Sequence, residues 1–293
     1  MTASDPFKLP PLHHRRGVAL MLLSVACFTA NVLLIRVLGL HYAVDIWLVS
    51  CVRFVVGIAV LATVYRQQVH FARVFTHGNL AGRGIVGGLG VAIYYVTVVH
   101  IGAGRATFIN NVYIILAALL AVGVLKEKFR PALLVGGVAA LAGLALLTNV
   151  FATGAGMNRY DLLAIGGAIA SAYVVVTIRV LHGQGEHTST IFAAQCLYGL
   201  LLCAVPAAVF WTPVANGAWL LMAAAGLLAA IGQLAMTGGF RDLPVAEGSL
   251  LQMLVPLGIA VGGLVFFQEH FTPHELLGAA LILVGTVVTV LRR

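Results

Sequence analysis

The chain has 293 residues, of which 61% are hydrophobic and 9% are charged, and its mean hydropathy is +1.04. Its 17 Lys and Arg residues and 9 Asp and Glu residues are too few to cover the surface of a water-soluble protein of 30.7 kDa. This composition excludes a soluble enzyme, a nucleic-acid-binding protein and a disordered chain. The sequence therefore predicts an integral membrane protein.

In chain order, the predicted elements are ten apolar stretches, each long enough to cross a bilayer core of about 30 Å as a helix. A turn signal at Trp211-Thr212-Pro213 divides the longest uncharged run into two helices. The predicted all-α spans are residues 17–38, 44–65, 81–100, 105–125, 131–149, 160–181, 188–210, 216–238, 244–267 and 273–291. The segments between them are too short for a soluble domain.

The distribution of Lys and Arg predicts the orientation of these spans, because cytoplasmic loops carry an excess of both. If the N-terminus is cytoplasmic, thirteen of the 17 cations fall on the cytoplasmic side: Lys8, Arg15, Arg16, Arg66, Arg73, Arg83, Lys126, Lys128, Arg130, Arg179, Arg241, Arg292 and Arg293. We therefore expect a multi-pass protein of the inner (plasma) membrane with both termini in the cytoplasm. We also expect residues 1–16 to form a short cytoplasmic tail rather than part of a signal peptide, because no cleavage site follows the first span.

The sequence also contains an internal repeat. Residues 127–143 and residues 269–285, which are 142 positions apart, share seven identities without a gap. The aligned residues include Glu127 with Glu269 and two pairs of glycines, and residues 35–38 recur at 178–181. Chance resemblance between apolar segments is the alternative, but the matched residues include Glu, Arg, Pro and Gly.

The repeat predicts two five-helix units, residues 17–149 and residues 150–293. Because five is odd, the second unit enters the membrane from the opposite side. The predicted fold is thus two inverted repeats around a central cavity, an arrangement that many transporters use for alternating access.

These features resemble the drug/metabolite transporter superfamily, and in particular its ten-helix EamA type. The resemblance is carried by Glu127 and Glu269, each followed by a Gly-rich helix, by Arg53-Phe54 and by the Asp-Leu-Leu-Ala of residues 161–164. Within that family the sequence is most similar to the YddG-type amino-acid exporters. The family's proline is present as Pro256 but replaced by Ile114 in the first half, so no matched pair of proline kinks is predicted.

The predicted substrate-binding residues are polar or aromatic side chains in the middle of six spans. They are Asn31, Tyr94, Tyr95, Asn110, Asn111, Tyr113, Ser171, Tyr173, Gln233, Met236, Ser249 and Gln252. Any one of them can instead bond its own helix or bridge two helices. As a set they offer uncharged hydrogen bonds and aromatic faces, which suit amphipathic solutes such as amino acids with apolar or aromatic side chains.

The positions of the charged residues along the spans indicate how transport is driven and which substrates are excluded. The sequence places no Asp or Glu in the middle of a span, so it predicts facilitated or weakly coupled transport rather than a proton relay. It also places no Lys or Arg among the mid-span candidates, which argues against a nucleotide-sugar substrate. Arg53 lies deep in the second span and is expected to reach outward or to pair with Asp45.

Other features predict structure rather than chemistry. Thr272, Pro273 and Glu275 are typical of a helix start, so the nearby His270 and His274 do not indicate a metal site. The dipeptide Gly-Lys is absent, so there is no nucleotide-binding loop. The four cysteines lie in apolar runs and predict no disulfide framework. We expect a monomeric secondary exporter without a cofactor, with a broad drug or nucleotide-sugar carrier and a membrane-embedded transferase as the alternatives.

Overall fold

The computed structural model describes residues 12–42, 44–128, 130–150 and 157–291, and the regular elements in these ranges are all α-helices. They are α1 (His14–His41), α2 (Ile46–Val64), α3 (Phe71–Thr76), α4 (Gly78–Ile101), α5 (Ala103–Asn111), α6 (Tyr113–Leu125), α7 (Pro131–Leu147), α8 (Arg159–Gly183), α9 (Thr188–Val209), α10 (Asn216–Asp242), α11 (Val245–Gln252), α12 (Leu254–Phe267) and α13 (Pro273–Leu291). Lys8, Arg292 and Arg293 of the predicted cytoplasmic set, and Phe129 of the repeat, lie outside the described residues.

The predicted all-helical membrane architecture is confirmed. Within the described ranges, eight helical segments are long and apolar enough to cross a bilayer, and Pro131–Leu147 and Pro273–Val287 are shorter apolar helices. Observed and predicted helix ends differ by four residues or fewer. The short helix α3, which connects α2 to α4, was not predicted.

Two of the predicted spans are interrupted. The span 103–125 breaks at Val112, between α5 and α6, and the span 245–267 breaks at Met253, between α11 and α12. The second break lies close to Pro256. Because proline has no N–H group, it cannot donate a helix hydrogen bond to the Gln252 carbonyl. In the first, the Asn111 side chain instead donates to the Thr107 carbonyl at 2.8 Å, a local bond that competes with the helix ladder. Different residues thus lie beside the two interruptions.

Ion pairs and polar contacts between helix ends define two ends of the bundle. The end that holds the start of α1, which we call face A, joins His14 to Glu247 and Arg73 to Glu186. The opposite end, face B, joins Arg36 at the end of α1 to Glu269 before α13. Five of the seven ion pairs between described residues lie at face A, so this end is the more tightly bound.

Helices α7 and α13 pack with their backbones in contact along four glycines, which we call the glycine seam. A Cβ added to Gly143 would lie 2.5 Å from the carbonyl oxygen of Gly278, and a Cβ on Gly285 would lie 2.7 Å from that of Gly136. A side chain at these positions would collide with backbone rather than with a movable group. The glycines are therefore required by the close approach of the two helices.

The other glycine pairs with GxxxG spacing also make contacts inside the chain. A Cβ on Gly84 would lie 2.5 Å from the Ala194 carbonyl on α9, and one on Gly258 would lie 2.5 Å from Oγ1 of Thr29 on α1. The predicted helix start at Pro273 is confirmed, because the Thr272 amide donates to Glu275 at 2.7 Å and the Glu275 amide donates to the Thr272 hydroxyl at 3.4 Å. Cys27, Cys51, Cys196 and Cys203 are free thiols.

Candidate functional site

A cavity of about 650 Å³ lies among α1, α2, α4, α5, α6, α8, α9 and α10. Val99 near its rim, at the face B end of α4, is 72% exposed. Deeper in the bundle its wall includes Arg83, which is 0% exposed, and Gln195, which is 6% exposed. The cavity therefore runs from face B into the bundle, and its volume suits a small organic molecule.

Eight of the twelve predicted site residues line this cavity. They are Asn31, Tyr94, Tyr95, Asn110, Tyr113, Ser171, Gln233 and Met236. The remaining lining residues of the described chain are mainly Val, Ile, Gly and Ala, with three arginines and one further glutamine. The structure thus brings together residues from both halves of the chain, and their contact with substrate remains a prediction.

The aromatic lining residues form one wall. The rings of Tyr94 and Tyr95 have centroids 6.2 Å apart, and Tyr95 packs edge-on against Trp47 at 6.3 Å. The Tyr94 hydroxyl forms a 2.8 Å hydrogen bond with the Thr107 hydroxyl. These contacts hold the two rings in place, so that their faces are available to an apolar or aromatic solute.

The polar lining residues differ in how many of their side-chain hydrogen-bonding groups have a partner among the described residues. The Asn31 amide donates to the Ala225 carbonyl at 2.7 Å, and the Ser171 hydroxyl donates to the Asn110 amide oxygen at 3.3 Å. In contrast, Nε2 of the buried Gln233 has no hydrogen-bond partner among the described residues. A buried donor of this kind is available to a ligand.

Four predicted site residues do not line the cavity in the described structure. Asn111 bonds the Thr107 carbonyl of its own helix, and Gln252 donates to the Ser24 hydroxyl at 3.1 Å. Ser249 is fully buried near the Tyr113 hydroxyl. Tyr173 is 37% exposed, and its hydroxyl group packs against Gly82 on α4, where an added Cβ would lie 2.8 Å from the hydroxyl oxygen. Their mid-span positions were predicted correctly, but helical position alone does not fix the face on which a side chain lies.

The expectation of an uncharged cavity is wrong, because Arg36, Arg53 and Arg83 line it. The sequence predicts Arg83 in a cytoplasmic loop. Helix α4 begins at Gly78 instead, so Arg83 lies in its second turn with a completely buried side chain. The guanidinium packs where a Cβ on Gly87 would overlap its Nη1 atom. A long cation can turn into the bundle here because glycine leaves the space.

Of the two alternatives expected for Arg53, the pairing with Asp45 is wrong. The Asp45 carboxylate caps α2 by accepting from the backbone N–H groups of Trp47 and Leu48, at 2.8 and 3.3 Å. Arg53 instead lies 6.0 Å from the ring centroid of Phe28 and faces the cavity. No carboxylate among the described residues forms an ion pair with it.

Face A is closed by ion pairs in which the acidic side chain is largely buried. Glu127 and Arg179 lie 2.6 Å apart, and Arg179 is 3% exposed. Burial raises the pKa of the Glu127 carboxyl, and the neighbouring Arg179 opposes that rise. Glu247, which is fully buried, pairs with Arg130 at 2.6 Å and with His14 at 3.1 Å.

Among the described residues, face B holds one buried ion pair, between Arg105 and Asp161, and one exposed pair, between Arg36 and Glu269. Arg36 and Glu269 lie 2.5 Å apart, but their side chains are 36% and 37% exposed. Residues 35–38 repeat at 178–181 and Glu127 repeats at Glu269, so this pair is the repeat counterpart of the pair between Arg179 and Glu127. The same two residue types therefore make a buried pair at face A and an exposed pair at face B.

Sequence reasoning missed Arg36, Arg53, Arg83 and Gln195 as cavity residues. For Arg83 a signal was present: it sits among Gly82, Gly84, Gly87 and Gly88, where the missing side chains allow a buried guanidinium. Gln195 gave no such signal, because its only sign of function is its contact with Arg83 across two helices.

The apolar helices and the internal cavity define a multi-pass membrane protein with a chamber for a small solute. The sequence profile of the EamA-like transporter family matches residues 15–149 and, separately, residues 158–291. The chain belongs to the EamA-like transporter family, within the drug/metabolite transporter superfamily. It is therefore a membrane transporter of small molecules.

Comparison with solved structures supports the same fold. One crystal structure, described only as that of a protein, matches with a TM-score of 0.79 over 95% of this chain and 97% of its own, at 21% identity. This similarity concerns the fold alone. The search of curated proteins gives no significant match.

Proposed function

We propose that this transporter is a secondary exporter of small amphipathic metabolites, and that amino acids with apolar or aromatic side chains are among them. The cavity carries the proposal: it places Tyr94 and Tyr95 beside hydrogen-bonding groups and aliphatic side chains in a space of about 650 Å³. Such a site binds a solute with one apolar part and a few polar groups. We place the protein in the inner membrane as a monomer.

Alternating access between two inverted five-helix repeats is the proposed mechanism. Support comes from reciprocal contacts: Gly143 meets Gly278 while Gly136 meets Gly285, and the Glu127–Arg179 pair has the Glu269–Arg36 pair as its counterpart. The two separate family matches point the same way. On this mechanism the exposed pair would become buried when the cavity closes at face B.

The proposed orientation places face A, and with it both termini, in the cytoplasm. The described members of the predicted cytoplasmic set, apart from Arg83, lie at helix ends or in loops of face A. With this orientation, the cavity in the present structure opens to the side that receives the exported solute.

Nucleotide sugars are the second candidate substrate, since the three cavity arginines remove one objection to them. Their polar sugar and base would need hydrogen-bond partners along the whole cavity. The lining is instead rich in aliphatic residues, among them Val91, Val98 and Val175. We therefore favour an amphipathic substrate.

Replacing Tyr95 or Asn110 by Ala is expected to lower the initial rate of phenylalanine efflux from proteoliposomes by about threefold to tenfold. Each change removes a ring face or a hydrogen bond in the cavity, an interaction of about 0.5–1.5 kcal/mol. The matched control is Asn79→Ala, because Asn79 is exposed and bonds Gln184 at face A. Normal efflux in both cavity variants, at equal membrane expression, would remove the cavity from the transport path.

Transport is also expected to continue when the proton gradient is collapsed. Among the described residues no Asp or Glu lines the cavity, so it lacks the carboxylates of a proton relay. The measurement is efflux from proteoliposomes with and without a protonophore, at a constant substrate gradient. Efflux that stops with the protonophore would reject facilitated transport while leaving the cavity assignment intact.

A further inference from the structure

Arg83 is a buried cation whose hydrogen-bonding capacity is only partly used. Its Nη2 donates to Oε1 of Gln195 at 3.0 Å. Its Nε and Nη1 atoms are buried and have no hydrogen-bond partner among the described residues. A guanidinium has five N–H donors in a planar fork, so several remain for another group.

Among the described residues, no carboxylate balances the charge of Arg83. Arg36 is paired with Glu269, but Arg53 and Arg83 form no ion pair with a described residue. Both side chains line the same cavity, Arg83 from α4 and Arg53 from α2. A buried charge without a partner is strongly unfavourable. An anion that enters the cavity would supply the missing partner.

We propose that Arg83 binds the carboxylate of the transported solute, and that Arg53 in the same cavity adds positive charge. The proposed solute class is small carboxylates with an apolar or aromatic body, whether or not they also carry an ammonium group. This inference rests on the proposed function, because it concerns the same cavity. It extends the substrate range from amino acids to organic anions.

The geometry explains both parts of the proposal. A guanidinium fork matches the two oxygens of a carboxylate, and Gln195 holds one edge of the Arg83 fork in position. Tyr94 and Tyr95 on α4 lie three turns further along the helix, towards face B, where they can contact the apolar body. In the described lining no carboxylate is present to bind an ammonium group, so the ammonium contributes little to recognition.

The test uses three solutes that differ only in their charged groups: 3-phenylpropanoate, phenylalanine and 2-phenylethylamine. Binding to the purified full chain is measured by calorimetry. We expect 3-phenylpropanoate and phenylalanine to bind and 2-phenylethylamine to bind at least tenfold more weakly. Arg83→Gln should weaken both carboxylates by about tenfold to a hundredfold. Arg83→Lys keeps the charge but loses the fork. Its affinity for both carboxylates should therefore lie between that of the unchanged protein and that of Arg83→Gln.

The control variant is Arg159→Gln, because Arg159 lies over the Tyr160 ring at face B and outside the cavity. Equal affinity of Arg83→Gln and the unchanged protein for 3-phenylpropanoate would overturn the proposal, and so would tight binding of 2-phenylethylamine. If Arg83→Gln does not fold, Arg83→Lys and Arg53→Gln decide by the same measurement. Carboxylate binding that depends on Arg83, without transport into or out of liposomes, would support this inference and reject the proposed function.

Discussion

Replacing Arg179 by Gln is expected to destabilise the protein by about 3–5 kcal/mol, because it leaves a buried carboxylate without its partner. Arg179 is 3% exposed and lies 2.6 Å from Glu127. Its Nη1 also donates to the carbonyls of Phe240, Arg241 and Leu243, at 3.1, 3.2 and 2.7 Å. One side chain thus joins the end of α8 to the end of α10 and to the loop after α6.

The repeat counterpart of Arg179 provides the control for this prediction. Arg36 pairs with Glu269 at 2.5 Å, but both side chains are more than a third exposed. Such pairs contribute about 0–1 kcal/mol, so Arg36→Gln should change the stability little. The measurement is the thermal unfolding midpoint of both variants in the same detergent. Equal midpoints would mean that the ion pair at face A is no stronger than the one at face B.

Replacing Gly143 by Ala is expected to destabilise the protein by about 1–3 kcal/mol, since the added methyl group overpacks the glycine seam. The new Cβ would lie 2.5 Å from the Gly278 carbonyl oxygen and 2.8 Å from the Ile282 nitrogen. Both are backbone atoms, so they can move away only if α7 and α13 separate. Purified yield and the unfolding midpoint in detergent are the measurements.

Gly166→Ala is the matched control for the glycine seam. Gly166 also lies inside a helix, α8, but no atom outside its own helix lies within 4 Å of the position of an added Cβ. Alanine favours the helix over glycine by about 0.5–1 kcal/mol, so this variant should be as stable as the unchanged protein or slightly more so. If both alanines had the same effect, the contact between α7 and α13 would not depend on glycine.

The membrane architecture could be predicted from the sequence because it follows from the length of apolar runs. The start of α13 at Pro273, for instance, is marked by a proline and by the Thr272 and Glu275 side chains that cap it. The break at Val112 could not be predicted in this way. Beside the break the Asn111 side chain bonds its own helix, and an asparagine in a membrane helix can equally bond a ligand, so the residue type does not predict the break.

The candidate site was predictable in part. Tyr94, Tyr95 and Asn110 line the cavity because uncharged polar groups in a membrane helix tend to face the protein interior. That rule does not separate a cavity from a packed helix contact, and so Gln252 was included although it bonds Ser24. Arg83 was missed for the opposite reason: a cation near a helix end is expected to reach water, and only the packing around Gly87 directs it inward.

The glycine seam has one more consequence. None of the described residues of α7 or α13 lines the cavity, so these two closely packed helices take no direct part in holding the solute. Because backbone contacts join α7 to α13, two probes on the outer sides of these helices should change their separation less than probes placed across face B. Such a labelled pair would serve as an internal ruler, against which spectroscopic distances across the moving ends of the bundle can be calibrated.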